Sequence, residues 1–128
     1  MDPSQRDRLA EGIALYNRGD YFAAQEHLEA VLNAVGADEQ PLPRALLMLA
    51  CGMHLHFHRG GGRGALNLFR QGLILLDDLR PDCEGVAVAE LVEAMEAYLR
   101  ELEDRRKPGA SFFDRWLAPR IRFTGPAG

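Results

Sequence analysis

Cysteine is scarce in this chain, and long apolar runs are missing. Two cysteines, Cys51 and Cys83, in 128 residues make no disulfide framework, so a reduced, cytoplasmic setting is expected. No stretch reaches the ~18 consecutive apolar residues that a membrane helix needs, and no membrane association is expected. The opening MDPSQRDR is charged throughout and lacks the apolar core of a secretory signal. Signatures of chemistry are missing too. Gly60-Gly-Gly-Arg-Gly64 has no following Lys-Ser/Thr to make a phosphate loop, and no serine sits in a nucleophile elbow. No segment sustains the alternation of a β-strand.

What is present is an ordinary globular interior. Apolar residues make up 47% of the chain, enough for one domain and too many for a disordered segment. The net charge of −4 hides an asymmetry. From Arg105 onward six basic residues face only Asp114, a net +5, which leaves a net −9 in residues 1–104. An acidic body with a basic tail points to a tail that folds back or reaches for another protein. Nucleic acid is not expected as a partner, because the body would repel phosphates.

Helical punctuation runs through residues 1–107. Asp2 and Pro3 open a first helix, with Gln5 placed to complete a capping box. Leu9, Ile13 and Tyr16 form its stripe. Gly19 suits the left-handed position beyond a helix end, and Asp20 can cap the next helix. That second helix, about Tyr21 to Val35, buries Tyr21, Ala24, Leu28, Val31 and Val35. After a loop at 36–40, a third helix starts near Pro41–Pro43 and is apolar almost all round, as a central helix would be. Gly60 to Gly62 end it. A fourth helix is expected from about Arg63 to Leu79, stopped by Pro81. Asp82 is expected to cap a fifth, which carries Val88, Leu91, Val92, Met95, Tyr98, Leu99 and Leu102 on one face. A shift of 41 residues lays Ala24 on Ala65, Leu28 on Phe69 and Leu32 on Leu73. The expected fold is therefore all-α: two stacked helical hairpins of a tetratricopeptide-like kind, closed by a fifth helix and a short helical tail.

Two polar constellations stand out. Gln25, Glu29 and Leu32 line the flank of the second helix, with Glu26 pointing more outward, while Leu49 and His56 share a face of the third. If these helices pack together, Glu29 and His56 make a carboxylate–imidazole pair in a groove, fit for acid–base work or simply for stitching two helices. The second constellation is Cys51, His54 and His58, on one helical face. Its ligand types suit zinc, but three ligands on one helix need a fourth and none is obvious. The plainer reading is a thiol and two histidines near a helix end, where imidazolium also suits the dipole. No metal or cofactor is expected.

Tyr16-Asn-x-Gly-x-Tyr-Phe, followed by Ala24-Gln-Glu-x-Leu-Glu-x-x-Leu32, resembles the opening motif of the bacterial and archaeal "domain of unknown function 309" family. The run His56-Phe-His-Arg-Gly60 with Gly64-Ala65 resembles its second motif. The resemblance implies a small all-helical bundle whose signature is His-x-x-x-Glu-x-x-Trp on the second helix, with Gln and His on the third. Here the signature His position is Gln25, the Trp position Leu32 and the helix-three Gln position Leu49. Glu29 and His56 match. Glutamine ligates poorly beside imidazole and leucine not at all, so the substitutions weigh against an enzyme.

Residues 108–128 form an aromatic and basic tail. Phe112, Phe113, Trp116 and Leu117 are each worth roughly 1.5–3 kcal/mol on burial, too much to leave in water. They are expected to dock on the body or on a partner, and Pro119 and Pro126 to keep the last residues extended. The function expected is a small protein-interaction or scaffold domain, with a protein partner or self-association. The alternative is a metal-assisted, hydrolase-like site in the groove of the second and third helices.

Overall fold

The computed structural model describes residues 1–58, 62–104 and 118–124. Five helices account for most of them: α1 (Pro3–Asn17), α2 (Tyr21–Ala34), α3 (Pro41–His58), α4 (Arg63–Asp77) and α5 (Val88–Asp104). Local chemistry sets their ends. Asp2 caps α1 in a full capping box: the Gln5 backbone N–H donates to Asp2 Oδ1 at 2.8 Å, and the Asp2 N–H to Gln5 Oε1 at 3.0 Å. Gly19 takes φ +83°, and Asp20 Oδ1 accepts from the Ala23 N–H at 3.3 Å. One 3₁₀ turn, Ala37–Glu39, interrupts the loop before α3.

Successive helices pack on one another in chain order, from α1 on α2 to α4 on α5. Their stripes make a single core in which Leu9, Leu28, Leu46, Leu49, Phe69 and Met95 are fully buried. The 41-residue offset joins positions of equal burial, Ala24 with Ala65 and Leu28 with Phe69. Glycine lets α3 and α4 approach closely. A Cβ on Gly52 would stand 2.6 Å from the Phe69 ring, and one on Gly72 2.9 Å from Leu49 Cδ2. Along α5, Val88, Leu91, Val92, Met95, Tyr98 and Leu99 are buried, as the periodicity requires.

Three boundaries differ from expectation. Val35 is the C-cap of α2 rather than part of it, and α4 ends at Asp77. The third difference matters more: Asp82 does not cap α5, which begins six residues later at Val88. Between them, Cys83 and Val86 exchange backbone hydrogen bonds of 3.1 and 2.8 Å around Glu84 and Gly85, both at positive φ. That is the geometry of a two-residue hairpin turn, which holds the chain out of helix until Ala87.

Residues 118–124 lie along this turn. Val86 forms an isolated antiparallel bridge with Phe123. The Ala87 N–H donates to the Arg122 carbonyl at 3.0 Å, and the Thr124 N–H to the Gly85 carbonyl at 2.8 Å. Ile121 is buried, Phe123 half-buried, and Arg120, Arg122 and Thr124 are exposed. Phe112, Phe113, Trp116 and Leu117, the expected docking residues, lie outside the described residues, as does the expected tail helix.

Candidate functional site

Two neighbouring regions carry the polar and aromatic groups. The first is the α2–α3 flank. Gln25, one turn before Glu29, is half-buried, and the Cys51 thiol donates to its Oε1 at 3.2 Å. Burial, and then the Glu29 carboxylate, raise the Cys51 thiol pKa above its ordinary value. Glu26 and Glu29 are exposed and Leu32 half-buried. Leu49 belongs to the core and packs toward Gly72 of α4, so it does not open the groove expected for it.

His56 stands elsewhere. Its ring lies 4.7 Å from Phe57 and 6.2 Å from Tyr98 of α5, and burial lowers its pKa. The charge of Glu29 is felt at Cys51, while the ring contact of His56 with Tyr98 points to α5. Glu29 neighbours Cys51, and five residues further along α3 turn the helix by roughly 140°, which carries His56 round toward α5. Spacing alone groups His56 with Leu49, but the helix crossing puts Cys51 opposite Glu29.

The Cys51, His54 and His58 constellation does not assemble either. The Cys51 thiol is engaged by Gln25, while the His54 ring lies tilted against exposed Phe22, at 5.6 Å, and against His58, at 4.9 Å. Among the described residues no group of three or more His, Cys, Asp or Glu is placed to hold a metal ion.

These shifts give two expected results. Glu29→Gln should move the pH profile of Cys51 alkylation to lower pH, because one of the two influences raising the thiol is removed. Cys83, raised by burial and by Glu84 and Glu39, serves as the internal control and should not move. An unchanged Cys51 profile would show that the Glu29 charge is not felt there. For His56, the unfolded chain binds a proton near the ordinary value of 6.5 and the folded chain only at lower pH. Stability is thus complete above that value and is lost as pH falls through the window below it. His56→Phe should flatten the midpoint of urea unfolding across that window.

The second region is the α1–α2 turn, where the aromatic motif sits. Tyr16 and Tyr21 meet edge to face at 5.2 Å, and Tyr21 stacks on Phe57 at 5.9 Å with 10° between planes. Tyr16 is fully buried, and desolvation, then Tyr21 and Tyr98, raise its hydroxyl pKa. Asn17 turns outward and holds the C-terminal segment by both ends of its amide. Its Nδ2 donates to the Ile121 carbonyl at 2.8 Å, and its Oδ1 accepts from the Ile121 N–H at 2.7 Å. Arg122 Nε adds an ion pair to Glu90 at 2.6 Å. A cavity of about 210 Å³ lies between the Tyr16–Gly19 turn, Tyr21 and residues 118–120. None of Gln25, Glu26, Glu29, Leu32, Leu49 or His56 lines it.

The residues missed from the sequence are thus Asn17 as a clamp and Ile121 as its guest. One signal was available. From Arg120 to Thr124 apolar Ile121 and Phe123 alternate with polar neighbours, a period of two over five residues.

Comparison with known proteins adds one match. The model of the domain of unknown function (DUF309) matches residues 9–68, from within α1 to the start of α4. No curated protein gives a match. The matched stretch contains the Tyr16–Leu32 motif and the whole of α3, which supply the α2–α3 flank and the Asn17 side of the second region; Glu90 and residues 118–124 lie outside it. The match over residues 9–68 supports membership of the DUF309 family.

Proposed function

We propose that this chain is a small helical protein-interaction or scaffold domain, built on two tetratricopeptide-like hairpins, that works by holding extended segments. In this reading residues 1–107 are the receptor body and residues 108–128 a tail that behaves as a ligand. The observation that carries the reading is the Asn17 clamp on Ile121. An amide that grips both the N–H and the C=O of one residue recognises extended backbone, and the Gly85 and Ala87 main chain continues that recognition on the other side.

A cytoplasmic protein partner fits best. The acidic body disfavours nucleic acid, no helix among the described residues is long and apolar enough to cross a membrane, and both cysteines are free. A hydrolytic reading would need Glu29 and His56 to reach one substrate, whereas Glu29 neighbours Cys51 and His56 faces Tyr98.

The test uses the full chain carrying Ile121→Asp, which empties the site by placing a charge where Ile121 is 2% exposed. Titration calorimetry with the peptide Ala-Pro-Arg-Ile-Arg-Phe-Thr should show saturable binding, lost when its isoleucine is aspartate. No binding up to about 1 mM peptide, the effective concentration of a short tether, would refute the reading.

A further inference from the structure

Resting on that reading, we infer that the partner is a second copy of this chain, which exchanges residues 118–124 between bodies. Every contact holding this segment joins positions far apart in the chain. Asn17 to Ile121 spans 104 residues and Arg122 to Glu90 spans 32. None of these contacts depends on which chain donates the segment. The body receives the segment's side chains at four places: Ile121 is buried in the core, Phe123 packs against it, Arg122 pairs with Glu90, and the Thr124 hydroxyl donates to the Gly85 carbonyl at 3.1 Å. The hydrogen bonds from Asn17, Gly85 and Ala87 are to the segment's main chain.

A tether decides between the two arrangements. Residues 105–117 join the end of α5 to the segment, 13 residues that span at most ~43–47 Å when extended. That reach covers a neighbouring body in contact as well as the chain's own. Charge favours the encounter, since the donated stretch is basic and the receiving body carries the net −9. Exchange of an identical element between copies makes a dimer whose two clamps repeat the contacts of the monomer. The monomer dominates at low concentration, because the tether supplies its own segment at a millimolar level.

Mixing two full-length variants tests this directly. Asn17→Ala breaks the clamp and keeps the segment; Ile121→Asp keeps the clamp and spoils the segment. Neither variant alone can form an intact clamp–segment pair, in one chain or between two. The mixture can form one, between the clamp of the second and the segment of the first. Native mass spectrometry of the mixture should show a heterodimer that neither variant forms alone and that grows with concentration. A mixture that remains two monomers up to about 1 mM overturns the inference. If Ile121→Asp still binds the heptapeptide in that case, the exchange fails and the interaction reading stands; if it does not, both fail. Should circular dichroism show Ile121→Asp unfolded, Arg122→Glu replaces it, because that side chain is exposed and faces Glu90.

Discussion

Replacing Leu28 with alanine is expected to cost about 2–5 kcal/mol of stability, and Gln25 with alanine much less. Leu28 is fully buried where α1 crosses α2, and Gly12 of α1 lies directly over it. Gln25, one turn earlier, is half-buried and loses only a hydrogen bond from Cys51. Denaturant midpoints of the two variants measure the order. The crossing also makes a sharper forecast. A Cβ on Gly12 would stand 3.1 Å from both Leu28 Cγ and Cδ2, tighter than comfortable contact. In the Leu28→Ala background those atoms are gone, and the added methyl fills part of the cavity they leave. Gly12→Ala should therefore be neutral or harmful alone and restorative in the double variant. A double variant no more stable than Leu28→Ala would mean that the helices close over the cavity by themselves.

Asn17→Ala is expected to release residues 118–124. It strips both partners from the Ile121 backbone, and a buried polar group left unpaired costs about 1–3 kcal/mol. The readout is amide hydrogen exchange. The N–H groups of Ala87, Ile121 and Thr124, all bonded in this arrangement, should lose protection together, while those in the middle of α2 and α3 keep theirs. The melting temperature should fall only as far as the segment's own docking contributes. Unchanged exchange at Thr124 would show that the Val86–Phe123 side holds the segment without the clamp.

The helices are legible in the sequence because their ends are written in residues with few alternatives. Asp2 with Gln5, Gly19 with Asp20, and Pro41 each satisfy or forbid specific backbone groups, and helix ends fall at all three. The buried stripe of α5 is legible from spacing alone. The start of α5 is not. Asp82 and Glu84-Gly85 both read as boundary signals, and only pairing with Phe123, far along the chain, decides for the hairpin turn. The candidate site is less legible for a related reason. A helical wheel puts Glu29 on a flank, but the crossing of α2 and α3 determines whether that flank meets Cys51 or His56. The family motif holds a polar residue at the position of Leu49, which suggests a groove there; in this chain Leu49 packs in the core toward Gly72.

The long separation between Asn17 and Ile121 has a consequence for the order of folding. Closing a loop of 104 residues from an open chain is entropically harder than closing one of 13, by roughly 2 kcal/mol on ideal-chain scaling. The contacts between successive helices are local and form without that penalty. Once α1 to α5 have assembled, only residues 105–117 remain to be looped before the segment meets its clamp. The C-terminal segment is therefore the last element to arrive and the first to leave.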